Sequence, residues 1–258
     1  MRRTARSYNP EARYNVLPRD LEYRRVDGAP LLARVYEPQG QGPFPLLIEC
    51  HGGDWHTGNR LDNEPWHQHI ASSGIVVAAI EFRQGPAGVY PRAEADVNYA
   101  IRWFKAHAAE FNASPEYVGA SGSGSGGHLA LLNAMLPRHH LHAQHDLDAT
   151  HQPDATLAFV ISNSGYISPA SFIEDETRPE LSIRAREHFA GASDLRWASP
   201  FLIGMYFRPE SKPAMLLIQG AGDTSVPDVE LERFVYFYSR AGGLVQLAKY
   251  PGESRNFF

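Results

Sequence analysis

Cysteine is almost absent. Cys50 stands alone among 258 residues, so no internal disulfide can form and nothing marks an oxidising compartment. No stretch is apolar for long enough to span a bilayer. The basic start MRRTARSYNP is not followed by an apolar run, so it does not have the form of a secretory signal. Long runs of one charge are missing too, and the formal net charge of -5 argues against a phosphate-binding surface. Internal repeats and a Pro/Gly-rich linker are not found, so residues 1–258 are expected to form a single domain. With 43% hydrophobic and 21% charged residues the chain has the makings of a core, which excludes disorder as its class. No carboxylate or cysteine stands near the histidines at metal-ligand spacing, so neither a metal nor another cofactor is expected. The crowd of His139, His140, His142, His145 and His151 is therefore expected to form a solvated loop. These absences leave a soluble, cytoplasmic protein with a small-molecule substrate or ligand. A homodimer is kept open, and nucleic acid and membrane are not expected as partners.

What is present alternates. Leu31–Tyr36, Pro45–Cys50, Ile75–Ile80, Tyr117–Ala120, Leu157–Ile161, Met215–Ile218 and Leu244–Tyr250 are short apolar or alternating runs bounded by glycine, proline or charge, and they predict strands. After Pro91, Val97, Ala100, Ile101, Phe104, Ala108 and Phe111 recur at helical spacing, and a second helix is predicted from about Gly126 to Leu136. Strands alternating with helices predict an α/β fold, a mostly parallel central sheet with helices on both faces. Residues 163–206 break that rhythm with aromatics, prolines and charges, which predicts a small lid-like insertion over the sheet.

Two glycine-rich turns follow predicted strands. In His51-Gly-Gly-Asp-Trp55 the glycines let backbone N–H groups approach a developing negative charge closely, so Gly52 and Gly53 are candidate oxyanion donors. The second turn reads Gly119-Ala-Ser-Gly-Ser-Gly-Ser-Gly-Gly-His-Leu-Ala130, between a strand and a helix. Together with Phe82-Arg83, Tyr90-Pro91, Asp96, Arg102-Trp103, Gly220-Ala-Gly-Asp223 and Ala241-Gly-Gly243, these motifs make the chain resemble the carboxylesterase and lipase-like branch of the α/β-hydrolase superfamily. In that branch the elbow runs G-x-S-x-G-G-H-L-A.

The resemblance implies the α/β-hydrolase fold over nearly the whole chain, and it also exposes two departures. Laid on the elbow motif, Gly124 falls at the nucleophile position, with Ser123 before it and Ser125 after it. Ser125 can still offer its backbone N–H to an oxyanion, whatever its side chain does. Asp223 falls at the triad acid. The family histidine belongs in a P-G-x-x-H-x-F context, and Pro251-Gly-Glu-Ser-Arg255-Asn-Phe257 puts Arg255 there. Arginine stays protonated and cannot serve as a general base. An Asp223–Arg255 ion pair is then expected to replace the acid–base pair, with an ordinary structural salt bridge as the alternative. His51, Trp55, Tyr90 and His128 are expected around the substrate pocket, and His67 and His69 in surface or packing roles. The expected function is a non-hydrolytic or divergent enzyme acting on a small carbonyl or ester-like substrate through a retained oxyanion hole. Two alternatives stand beside it. One is a carboxylic ester hydrolase in inactive-variant form or with an unusual serine, and the other is a ligand-binding pseudo-hydrolase.

Overall fold

The computed structural model describes residues 11–254, apart from Ala149 and Arg208. Its strands are β1 (Val16–Val26), β2 (Ala29–Pro38), β3 (Phe44–Cys50), β4 (Val76–Ile80), β5 (Ala113–Ser123), β6 (Phe159–Asn163), β7 (Ala214–Gly220) and β8 (Val245–Tyr250). The helices are α1 (Glu64–Ser72), α2 (Arg92–Ala106), α3 (Ser125–Met135), α4 (Ala170–Ile173), α5 (Pro179–His188), α6 (Pro200–Leu202) and α7 (Asp228–Arg240). All eight strands form one sheet in the order β1-β2-β4-β3-β5-β6-β7-β8. The β1–β2 and β2–β4 pairs are antiparallel and every other pair is parallel. This is the mostly parallel central sheet that the strand–helix alternation implies.

Alternation along single strands shows why the sheet needs cover on both faces. In β4, Val76, Ala78 and Ile80 join the large core that also takes up residues of α2, α3 and α7. Val77 and Ala79 face the other way, where they pack with Tyr36 and with Ala71 of α1.

Two elements lie outside the sequence expectation for a physical reason. In β1 only Tyr23 is buried, so an antiparallel strand at the sheet edge carries almost no apolar signal. Helix α1 buries only His67 and Ala71. The helix predicted to reach Phe111 stops at Ala106, and Ala108–Phe111 forms a separate 3-10 turn that ends on left-handed Asn112.

The stretch between β6 and β7 is built from α4, α5, α6 and short turns. Tyr166, Phe172, Leu181, Ala185, Phe189 and Phe201 from this stretch are buried in the same core as the sheet, so it packs down as part of the interior. The solvated histidine loop needs correction in part: His140 and His151 are exposed, whereas His139 and His142 are buried. Their turn is held down by Asn98, which donates to the Pro137 carbonyl at 3.1 Å, and by Arg102, which donates to the His145 carbonyl at 2.5 Å.

Candidate functional site

Parallel pairing sets the site. Cys50 of β3 is level with Gly122 of β5, Ser123 with Asn163 of β6, and Asn163 with Ile218 of β7. The segments that follow these strands therefore leave the sheet at one edge. They carry the His51–Trp55 turn, Gly124, and the Asp223 loop, which fits the rule that α/β sites sit at the carboxyl ends of the strands.

The elbow is sharp. Gly124 lies between β5 and α3 with φ 52° and ψ −116°, a left-handed conformation that strains any residue with a Cβ. Its N–H donates to the Asn163 carbonyl at 3.1 Å, and its own carbonyl accepts from Tyr166 N–H at 3.0 Å. Ser125, buried, opens α3, so its backbone N–H has no intrahelical acceptor. The turn closes only because Gly122 and Gly126 lack side chains: a Cβ at Gly122 would strike the Gly126 backbone, and one at Gly126 the carbonyls of Cys50 and His51. Gly126→Ala is accordingly expected to destabilise the fold by about 2 kcal/mol, because backbone cannot yield as a side chain does. Urea unfolding checks this, and an unchanged midpoint would contradict the close approach.

The His51–Trp55 turn abuts the elbow. A Cβ on Gly52 would lie 3.1 Å from Ser123 Oγ, so the Ser123 side chain faces the turn. Gly53 has φ 104°, and Asp54 and Trp55 follow with φ 54° and 63°. Two successive L-residues in the left-handed region each cost about 1–2 kcal/mol, so the turn must be held from outside. Gly53 O accepts from His56 and Thr57 N–H, both at 3.0 Å, and Tyr166 Oη donates to Asp54 Oδ1 at 2.7 Å.

The four residues expected around a pocket pack in the interior instead: His51, Trp55, Tyr90 and His128 are at most 3% exposed. His51 stacks on Phe82 at 4.3 Å and its Nδ1 bonds the Gly52 carbonyl. Both nitrogens of His128 are engaged, Nδ1 accepting from Trp55 Nε1 at 3.3 Å and Nε2 donating to the Ala198 carbonyl at 2.8 Å. Burial holds the His128 ring down to about pKa 4, against a partial opposing pull from the Glu94 carboxylate. Tyr90 packs against His142 and Phe189, and burial raises its phenol above the ordinary range. His67 pairs with Glu49 at 3.1 Å inside the fold, which is the packing role expected of it, and His69 is exposed.

Asp223 sits in the loop after β7. Its Oδ1 accepts from the N–H of Ser225 at 2.8 Å and from the Ser225 hydroxyl, while Oδ2 is buried with no hydrogen-bond partner among the described residues. Glu253 and Ser254 run directly past this loop, with Gly222 N–H donating to the Glu253 carbonyl at 2.8 Å. Arg255, expected at the histidine position, lies outside the described residues.

Motif reading passed over a second set of groups. Glu94 Oε1 of α2 and His188 Nε2 of α5 lie 3.0 Å apart with both side chains fully buried. Burial pushes the Glu94 carboxyl up, but the histidines around it, His188 first and then His128 and His142, together outweigh this and hold the carboxyl below its usual range. The signal available in the sequence was Glu94, Asp96 and Asn98 set at alternate positions in a helix that also carries Ala93, Ala95, Val97, Ala100 and Ile101; the structure buries all of it from Ala93 to Arg102. Among the described residues no group of three His, Cys, Asp or Glu could hold a metal ion. No helix there is long and apolar enough to cross a membrane.

Comparison with known proteins places this geometry. The BD-FAE family model matches residues 34–235. Esterase LipQ of Mycobacterium tuberculosis is 26% identical over 261 residues, 97% of this chain and 56% of LipQ. The probable carboxylic ester hydrolase LipM of the same organism is 36% identical over 97 residues, 37% of this chain and 22% of LipM. The chain thus spans about half the length, or less, of these curated relatives. A solved thermophilic esterase from Thermogutta terrifontis superposes with a TM-score of 0.71 at 25% identity, covering 98% of this chain and 86% of that one. With a family model spanning most of its length and esterases among its sequence and structural relatives, the chain belongs to the BD-FAE family of carboxylesterase-like α/β-hydrolases.

Proposed function

We propose that this protein is a carboxylic ester hydrolase in inactive form, a site for small esters with no acylable side chain at its elbow. The observation that carries this reading is Gly124 itself, which adopts φ 52° and ψ −116° between β5 and α3 where the sequence motif puts the nucleophile. The backbone N–H groups of Gly53 and Ser125, with Gly52 between turn and elbow, would receive the carbonyl oxygen of a bound ester. Without an oxygen or sulfur at residue 124, no acyl-enzyme forms and the ester is bound without being cleaved. The esterase relatives favour this ester chemistry over the lyase, cyclase or isomerase chemistry that the missing serine suggests by itself.

One observation favours a second reading, an unusual serine. Ser123 Oγ faces Gly52, so a hydroxyl does stand beside the turn. A nucleophile also needs a base within hydrogen-bond reach, and His128 has both nitrogens committed elsewhere. A fluorophosphonate probe separates the two readings. The proposal expects no adduct and aryl-ester hydrolysis at background, whereas a stoichiometric adduct on Ser123 or Ser125 would establish the unusual serine in its place.

A further inference from the structure

Arg184, Glu187 and His188 stand three and four residues apart on α5, so they share one face of that helix. Each meets a different one of three consecutive residues in the turn beside the elbow. Arg184 Nη1 lies 3.5 Å from Asp54 Oδ2. The His188 ring stacks on Trp55 at 5.2 Å with an interplanar angle of 15°. Glu187 Oε2 lies 2.8 Å from His56 Nε2. Behind this row His188 is anchored to Glu94 of α2, so the inner end of the clasp is fixed to the core. At the outer end, the Arg184 and Glu187 side chains are 34% and 61% exposed.

Two of the three residues so gripped are strained: Asp54 and Trp55 have φ 54° and 63°. At Trp55 local chemistry does not explain that conformation, since tryptophan, unlike aspartate, has no intrinsic preference for it. We propose that α5 is the positioning element of the oxyanion turn, with Arg184 and Glu187 as positioning residues that hold Asp54 and His56 so that the Gly53 N–H keeps its aim. This inference rests on the proposed ester site for its function, though the mechanical part stands apart from it. Neither side chain touches a reacting group, and both act through the backbone they restrain.

The Arg184→Ala/Glu187→Ala double variant tests it, because exposed pairs of this kind contribute little to global stability. Amide hydrogen exchange on the full chain should speed up about tenfold or more in the peptide covering residues 52–58, with β5 and α3 unaltered. Exchange in that peptide equal to the parent overturns the proposal, and so does acceleration spread evenly over the molecule, which would mean simple destabilisation. A second measurement uses a chain carrying Gly124→Ser and Arg255→His. There the two alanines should lower kcat about tenfold while KM stays within twofold, and Arg184→Lys with Glu187 kept should recover most of the loss. A rise in KM at constant kcat would mean that α5 serves only to bind substrate. If the serine–histidine chain is itself inert, the ester reading fails, and the exchange result still decides whether α5 holds the turn.

Discussion

Gly124→Ser together with Arg255→His is expected to raise hydrolysis of a short-chain aryl ester at least about 100-fold over the parent chain, while either change alone leaves it near background. The asymmetry follows from how such groups act. A serine without a base stays a weak nucleophile, and a base without a nucleophile has no proton to take. The backbone already has the shape the serine would need, since residue 124 sits at φ 52° and ψ −116°. A serine there gains a strain of about 1–3 kcal/mol, which the glycine pair Gly122 and Gly126 and the bonds to Asn163 and Tyr166 can absorb. The acid is also ready. Ser225 occupies Asp223 Oδ1 and leaves Oδ2 buried without a hydrogen-bond partner among the described residues, a suitable acceptor for an imidazole N–H. Steady-state rates of the four chains on acetyl and butyryl esters check the expectation. A double variant that folds with the parent's circular dichroism yet cleaves neither ester would show that more than the triad has diverged.

Acid should unfold this protein earlier than its carboxylates alone would dictate. Burial depresses His128 to about pKa 4 and His142 to about pKa 3, in each case against a smaller opposing pull from Glu94. The unfolded chain, with ordinary histidines, takes up protons that the folded chain refuses. Stability contributed by these rings is therefore complete above about pH 6.5 and is lost as pH falls toward their folded values. By pH 5 each ring removes about 2 kcal/mol, which together is a large part of a typical domain's stability. Glu94 works in the same direction at lower pH: its depressed carboxyl stabilises the fold above the ordinary glutamate range and loses that contribution as pH drops further. Urea unfolding at pH 7 and pH 5 gives the comparison, with a clear drop in midpoint expected. His142→Phe should reduce that drop by about half. Equal midpoints at the two pH values, in parent and variant alike, would mean that neither ring is shielded as its burial implies.

Much of the fold could be read from the chain because its inner strands are uninterrupted apolar runs. Pro45–Cys50, Ile75–Ile80 and Met215–Ile218 correspond to β3, β4 and β7 within a residue or two. The edge strand β1 escaped because its residues answer to solvent on nearly every side and only Tyr23 is buried. The same contrast holds at the site. Motif spacing could place Gly124 and Asp223 just beyond strand ends, where they lie after β5 and β7, because each sits at a fixed offset from an apolar run.

The sequence by itself determined the layered α/β architecture, the two glycine turns and the absence of serine at residue 124, because these depend on short-range periodicity and on which residues can adopt a given backbone. Only the tertiary structure decided that His128 and Trp55 are interior, that Glu94 lies against His188, and that α5 reaches back to Asp54 and His56. Glu94 and His188 are 94 residues apart, and Asp54 and Arg184 are 130 apart. Partners so distant leave no local pattern, because it is the packing of the β6–β7 stretch onto the sheet that brings them together.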